Sequence, residues 1–460
     1  MLKKGALFLK IISTICIIAL FLSFFGGDSK FKKASLSLED AAALTYYAES
    51  MGYSLSEAIT KQGAKTYIAT ITSSRAETFS GNTVDDFSRP TNSYLPKGTT
   101  DYCDPNIITD PKSGRKYYKL ASGYRIYADE DSAEITEGKL NSSNNIYFSS
   151  SKIEGKKLYI SFKTDENIPF KLSYGKQEYF SETAPDYSVS SCDFSYIDIT
   201  FFNSDSIDIK ALELPENKLF SKVKPQKTDK KRQTALRLYL KEKGAFYGWD
   251  AKYNVSGELE FSFLQPPKMK SPDSLEGIKI LIDPGHGGDD PGAPNVNGSY
   301  RFGEQNHALL YAKELSEQLR ALGATVTFTR VSNTTVSLND RCAIIRNANA
   351  DLVISLHFNA SENEKQKGFF MGYFCPFSFP AAKTISESII KTDIFSPLSG
   401  GADWHYFRPS RVTSCPVILA ESGYISNRED YEKIRNPEIY KKYIEGMTKG
   451  ICNYFNSISK

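Results

Sequence analysis

The sequence predicts that residues 277–460 form an α/β domain, with a single mixed, mostly parallel sheet and helices on both faces. Two observations predict this fold. Short apolar runs, typical of buried strands, alternate with longer segments in which apolar residues recur every three or four positions. The first apolar run ends in a glycine-rich turn at residues 285–288, and Gly323 follows the first helical segment as a stop signal. Upstream the pattern changes to mainly alternating strands, which predicts a preceding α+β, strand-rich N-terminal region.

The elements of this domain can be assigned in order. Residues 278–282 predict a buried first strand that runs into a glycine-rich turn. A helix is expected over residues 304–322, where leucines and alanines share one face and Gly323 follows as a stop signal. The remaining strands are expected at 325–329, 352–356, 369–374 and 416–420, and the remaining helices at 338–347 and 439–455.

Residues 36–221 predict a strand-rich accessory region that opens with a helix ending near Gly52. Within it, residues 157–162 and 196–201 alternate with the two-residue period of a half-buried sheet. Residues 222–232 are basic and contain a proline, which favours a solvated linker.

Residues 234–265 predict a small αβ accessory segment. Its expected elements are a short helix around Leu236, Leu238 and Leu240 and a strand at 259–263. Three prolines between 266 and 272 then mark the boundary of the C-terminal domain.

Residues 1–27 predict an export segment. Three lysines precede the apolar run 11–25, as in a signal peptide. The run is shorter than the roughly 20 apolar residues of a comfortable membrane span. Phe24 and Phe25 stand where a cleavage site needs small residues, so a cleaved signal peptide and a retained signal anchor both stay open. In either case the rest of the chain is expected to act outside the cytoplasm, in the periplasm or cell envelope, with N-terminal membrane association if the anchor is retained.

Composition narrows the class of function. A formal net charge of +3 over 460 residues lacks the basic excess of a nucleic-acid-binding protein. Seven cysteines without a CxxC pair argue against a thiolate zinc cage. A disulfide between Cys103 and Cys192 is compatible with export, although the sequence does not establish it.

Four residues of the C-terminal domain stand at one predicted edge of the sheet. His286 follows the first strand, Glu304 opens the first helix, and His357 and Glu421 end later strands. The carboxyl ends of parallel strands meet at the edge where α/β sheets place their ligands. Imidazole nitrogen and carboxylate oxygen are zinc ligands, and catalytic zinc sites leave one position for water. The sequence therefore predicts a zinc hydrolase site there.

The other two histidines have competing interpretations. His307 follows Glu304 by three residues on the same helix face, which makes it the rival ligand, although a histidine on the helix surface is favoured. His405 lies between Trp404 and Tyr406, where a packed loop residue is favoured over one that contacts substrate. No Gly-Lys-Ser/Thr, HExxH or GxSxG motif occurs, which argues against a phosphate loop, a thermolysin-like site and a nucleophile elbow.

The motifs together resemble the zinc-dependent N-acetylmuramoyl-L-alanine amidases of bacterial cell walls, over roughly residues 277–456. The stretches that carry the resemblance are residues 283–288, 290–293, 329–330, 337–341, 348–351, 355–360 and 421–427 together with Glu304. Gln305 stands where the family often has lysine, and Phe358 where a smaller residue is common.

The resemblance implies a zinc ion held by His286, Glu304 and His357, with Glu421 as the catalytic residue. The implied reaction is hydrolysis of the amide bond between N-acetylmuramic acid and L-alanine in peptidoglycan. Zinc-activated water would attack, and Glu421 would serve as general base and then general acid. The implied partners are peptidoglycan and an activator or divisome protein.

Some relatives block their zinc with a long helical insertion before the last strand. Residues 361–415 are too short for one, which predicts an always-open site limited by localisation or a partner. Two rival functions stay open: a wall-binding protein without turnover, and a zinc peptidase that cuts within the stem peptide.

Overall fold

The computed structural model describes residues 38–54, 65–80, 89–129, 131–175 and 194–459. The predicted export segment and Cys192 of the candidate disulfide lie outside these residues. None of the helices in the described ranges is long and apolar enough to cross a membrane. The cysteines among the described residues are free and buried: Cys103, Cys342, Cys375, Cys415 and Cys452.

Among the described residues, the N-terminal region contains helix α1 (Leu38–Met51) and three sheets of mainly antiparallel strands. Its strands are β1 (Tyr67–Ile71), β2 (Arg75–Ser80), β3 (Arg89–Pro96), β4 (Thr100–Thr109), β5 (Lys116–Leu120), β6 (Arg125–Tyr127), β7 (Ala133–Glu137), β8 (Asn145–Glu154), β9 (Lys157–Thr164), β10 (Phe170–Tyr174), β11 (Tyr196–Phe202), β12 (Ser206–Asp208), β13 (Phe220–Gln226), β14 (Gln233–Leu240), β15 (Trp249–Tyr253) and β16 (Leu259–Leu264). The strand orders are β3-β2-β6-β5-β4-β1-β7, β10-β11-β14-β13 and β12-β8-β9-β16-β15.

The short helix predicted around Leu236, Leu238 and Leu240 is wrong. These residues lie in β14, which pairs antiparallel with β11 and β13. The three leucines are buried while the residues between them are more exposed, which is the period of a strand. The basic linker predicted at 222–232 is also wrong over its first half, because β13 extends to Gln226.

The C-terminal domain contains a six-stranded sheet and five helices among the described residues. The strands are β17 (Lys279–Pro284), β18 (Thr325–Phe328), β19 (Leu352–Asn359), β20 (Phe369–Tyr373), β21 (Pro397–Trp404) and β22 (Val417–Tyr424); the helices are α2 (Glu304–Ala321), α3 (Leu338–Asn347), α4 (Phe379–Ile390), α5 (Arg428–Arg435) and α6 (Pro437–Ile458). The strand order is β18-β17-β19-β22-β20-β21. Only the β20–β22 pair is antiparallel, and the other pairs are parallel.

The two faces of this sheet are covered differently. Ile280, Ile282 and Ile354 pack on one face against helices α2, α4 and α6. Leu281 and Val353, whose side chains point the other way, join a core that also contains α3 and the aromatic side chains of the N-terminal region. The N-terminal region therefore buries one face of the C-terminal sheet.

Specific contacts fix this junction. Phe377 lies 5.5 Å, ring centre to ring centre, from Phe246. The backbone N–H of Trp249 donates to the carbonyl of Thr413 at 2.7 Å. A Cβ on Gly248 would lie 2.8 Å from the same carbonyl, so the two backbones approach too closely for any other residue. The two parts of the chain thus share one core.

Candidate metal centre

The strand register brings the predicted site residues to one edge of the sheet. β17 ends at Pro284, and the turn after it presents His286. His357 in β19 stands directly opposite Glu421 in β22. Glu304 is the first residue of α2, with Gly303 as its N-cap.

His286, Glu304 and His357 form a compact cluster of possible metal ligands. One ligand atom from each lies within 4.8 Å of the others. Glu304 Oε1 is 3.0 Å from His286 Nε2 and 2.9 Å from His357 Nδ1. Two ligands of a tetrahedral zinc ion with bonds of 2.0–2.2 Å lie about 3.4 Å apart, so a small adjustment would admit the ion. The donor set of two imidazoles and one carboxylate suits zinc.

Neighbouring glycines leave room for these side chains. A Cβ on Gly285 would lie 2.3 Å from the ring of His357. One on Gly292 would lie 2.6 Å from Glu304 Oε2 and 2.8 Å from the ring of His286. The glycine-rich sequence is therefore required by the packing of these candidate ligands as well as by the turn.

The carboxylate of a buried aspartate stabilises the turn after β17. Asp283 is fully buried at the end of β17 and accepts hydrogen bonds from Thr329 and Ser355. Its third partner is the guanidinium of Arg341. A buried charge is tolerated only when it is paired in this way. No role was predicted for Asp283 from the sequence, although an aspartate that ends an apolar strand is a usable signal.

Two arginines hold the carbonyl groups of the turn. Arg341 donates to the carbonyls of Pro284 and His286, and Arg330 donates to those of Pro284 and Gly285. His286 has a φ of +57°, a strained value for a residue with a side chain. These bonds keep the backbone in that conformation and direct the imidazole toward Glu304.

Burial and hydrogen bonding shift the pKa values of Glu304 and His286. Burial alone would raise the pKa of Glu304, but hydrogen bonds from His286 and His357 hold it well below its usual range. Burial lowers the pKa of His286, yet its contacts with Glu304 and Asp290 raise it overall. Asp290 Oδ2 lies 2.8 Å from His286 Nδ1, which leaves Nε2 to face the cluster.

Glu421 is the fourth predicted residue and lies beside the cluster. It is 8% exposed, and its Oε2 has no hydrogen-bond partner among the described residues. Burial raises the pKa of this carboxyl to about 7, with a contribution from the charge of Glu304. An unpartnered buried carboxylate is costly unless it has a function. A pKa near neutrality is suited to a general base.

The structure places His307 outside the cluster, but the preferred prediction of a surface histidine is wrong. His307 is 7% exposed and packs edge-on against Phe358 and Tyr431. Burial lowers its pKa to about 4, so it is neutral at pH 7. Its helix face turns inward because α2 lies against β17 and β19 rather than presenting that face to solvent.

His405 is a packed loop residue. Its ring is stacked between Phe370 at 4.7 Å and Phe407 at 5.1 Å. Its Nε2 lies 3.3 Å from Asp403 Oδ2. Phe370 is the register partner of Glu421 in the neighbouring strand, so this stack lies close to the candidate site.

The sequence matches a known family over the C-terminal domain. The model of the N-acetylmuramoyl-L-alanine amidase family matches residues 280–453. The probable cell wall amidase LytH of Staphylococcus epidermidis is 32% identical over 217 residues, which cover 47% of this chain and 68% of that protein. The corresponding protein of Staphylococcus saprophyticus is 33% identical over the same coverage.

Solved structures are also similar. The amidase AmiC2 of Nostoc punctiforme is 29% identical, with a TM-score of 0.36, and the match covers 39% of this chain and 97% of that one. An N-acetylmuramoyl-L-alanine amidase from Clostridium difficile 630 is 27% identical, with a TM-score of 0.37 and coverage of 40% and 98%.

Proposed function

Because this chain belongs to the N-acetylmuramoyl-L-alanine amidase family, we propose that it hydrolyses the amide bond between N-acetylmuramic acid and L-alanine in peptidoglycan. The observation that carries the proposal is the ligand cluster of His286, Glu304 and His357, with the buried Glu421 beside it. Two imidazoles, one ligand carboxylate and one unpaired carboxylate are what a metal-dependent amide hydrolysis needs.

The three clustered residues would hold a zinc ion, with His286 Nε2, Glu304 Oε1 and His357 Nδ1 as ligand atoms. When bound, zinc lowers the pKa of a water toward about 7 and polarises the scissile carbonyl. Asp290 fixes the tautomer of His286 through Nδ1, which directs the lone pair of Nε2 to the ion.

Glu421 would move the proton. Its carboxylate takes a proton from the attacking water and delivers it to the nitrogen of L-alanine as the amide bond breaks. The unpartnered Oε2 supports this role, since it is free to accept that proton. The products are a free lactyl carboxylate on the muramic acid and a stem peptide with a free amino terminus.

We also propose that the site is open without an activator. The longest helix between His357 and Glu421 is α4, and it packs against β20, β21 and α6 on the helical face of the sheet. Action on peptidoglycan places the chain in the cell envelope, consistent with the predicted export segment. The full chain should therefore release stem peptides from purified sacculi unaided, and inactivity until an activator is added would contradict this part.

Mass spectrometry of digested sacculi tests the reaction. The zinc-loaded full chain should release intact stem peptides beginning with L-alanine. Its Glu421→Gln variant, the matched control, should release them at least about 100-fold more slowly. Peptides cut internally would instead indicate a peptidase. Binding of sacculi without products would indicate a wall-binding protein, and either of these results would refute the proposed reaction.

A further inference from the structure

A groove of about 550 Å³ opens at the same edge of the sheet as the metal cluster. Its wall is formed by Val296, by Glu364, Lys365 and Lys367, and by residues 426–429; we call it the side groove. Val296 precedes Glu304 in the loop that leads to α2. The other two segments follow β19 and β22, the strands of His357 and Glu421. Its volume is in the usual range for ligand sites, about 300–1,000 Å³.

Hydrogen bonds between its loops shape the side groove before any ligand arrives. Asn427 Nδ2 donates to the carbonyl of Glu364 at 2.6 Å. The backbone N–H of Ser361 donates to Ser426 Oγ at 2.9 Å. The loops after β19 and β22 are therefore tied to each other, so a ligand bound between them would meet a preformed wall.

The side groove carries two basic side chains that are available to a ligand. Lys365 and Arg428 are exposed, and neither makes an ion pair with any residue in the described ranges. By contrast, Glu429 is already neutralised, because both Lys367 and Lys433 pair with it at 2.6 and 3.0 Å. The charges left to a ligand are thus two cations and the exposed carboxylate of Glu364.

The position of the side groove indicates the direction in which the substrate extends from the metal cluster. The scissile nitrogen belongs to the first residue of the stem peptide, so the rest of that peptide must extend away from Glu421 along the surface. Loops that follow the two strands of His357 and Glu421 form the side groove. Wall stem peptides carry free carboxylates, and a guanidinium and an ammonium that line one groove can each bind a carboxylate through charge-assisted hydrogen bonds.

Resting on the proposed amidase function, we propose that the side groove binds the stem peptide and that Lys365 and Arg428 bind one of its free carboxylates. The enzyme then distinguishes stem peptides that carry a carboxylate near the scissile bond from those in which the same group is an amide. The amide lacks the charge that the two side chains recognise. Its NH₂ group is a hydrogen-bond donor and cannot accept hydrogen bonds from Lys365 and Arg428, which are donors as well.

The test compares two muramoyl peptides that differ in one group: N-acetylmuramoyl-L-alanyl-D-isoglutamate and its amide, N-acetylmuramoyl-L-alanyl-D-isoglutamine. For the zinc-loaded full chain, kcat/KM should be about tenfold higher for the carboxylate form. In the double variant Lys365→Gln, Arg428→Gln, kcat/KM for the carboxylate form should fall to the value for the amide form, while the zinc content stays unchanged. Lys313→Gln, which removes an exposed lysine of α2 outside the side groove, is the matched control and should keep the preference.

Binding of the same two compounds to the Glu421→Gln variant, measured by calorimetry, separates this inference from the proposed reaction. Tighter binding of the carboxylate form, lost when Lys365 and Arg428 are replaced, would support the side groove as a carboxylate site. If the wild type nevertheless cleaved neither compound, the amidase proposal alone would be refuted. Equal binding of both compounds, or a preference that survives in the double variant, would overturn the side groove as a carboxylate site.

Discussion

The core shared by the two halves of the chain predicts that the C-terminal domain does not fold when it is excised. Six large apolar side chains of that domain belong to the shared core: Leu281, Ile345, Val353, Phe374, Phe377 and Val417. Each is at most 1% exposed. Removal of residues 1–269 would leave the face of the sheet that carries them covered by α3 and the segment Pro409–Arg411.

The magnitude can be worked from this burial. Full burial of such a side chain stabilises the fold by about 1.5–3 kcal/mol, so the six contribute about 9–18 kcal/mol. If the remaining elements keep half of this apolar surface covered, excision lowers the free energy of unfolding by about 5–9 kcal/mol. The whole free energy of unfolding of a domain is about 5–15 kcal/mol. Loss of Lys156, the ion-pair partner of the fully buried carboxylate of Asp351, adds to the cost.

The assay compares residues 270–460 with the full chain by size-exclusion chromatography, circular dichroism and zinc stoichiometry. The excised domain should aggregate or lack a cooperative unfolding transition. In the full chain, Phe377→Ala should lower the free energy of unfolding by about 3–5 kcal/mol. Val255→Ala, at a fully exposed position, should change it by less than about 0.5 kcal/mol. A soluble, monomeric excised domain that binds zinc and unfolds cooperatively would refute the reasoning.

Three further predictions concern the metal centre. Glu421→Gln should retain zinc while kcat falls by about 10²–10⁴, because only the proton carrier is removed; turnover at the wild-type rate would exclude the role. Asp290→Asn should weaken zinc affinity about 10–100-fold through misorientation of His286, and an unchanged affinity in a competition titration would contradict this contact. Glu421 must be ionised to act, and burial raises its pKa to about 7, a value that a bound cation would lower. We therefore expect kcat/KM to fall as the pH falls through a midpoint at or below about 7. A flat pH profile down to pH 4 would contradict this role of Glu421.

The C-terminal domain was largely predictable because its signals are local. A buried parallel strand is a short apolar run, and the predicted strands at 325–329 and 352–356 differ from β18 and β19 by a few residues at their ends. β21 was missed because its two central glycines and exposed residues give it no apolar period. Leu236, Leu238 and Leu240 were misassigned although their spacing of two residues is the period of a strand.

Tertiary contacts account for the remaining differences. No local pattern shows that Leu281 would join one core with Trp249 of the N-terminal region, since that depends on how two distant segments dock. The inward position of His307 likewise depends on the packing of α2 rather than on its own periodicity. The four candidate residues could be chosen because strand ends and helix starts are local features. The supporting role of Asp283, by contrast, depends on the positions of Arg341 and Thr329.

The arginines that hold the turn after β17 bear on how the candidate metal site would respond to loss of an ion. Arg330 and Arg341 fix three successive carbonyls from within the protein. The backbone that carries His286 thus owes its shape to the polypeptide and not to an ion. If the site holds zinc as proposed, loss and return of the ion would leave the backbone around His286 folded.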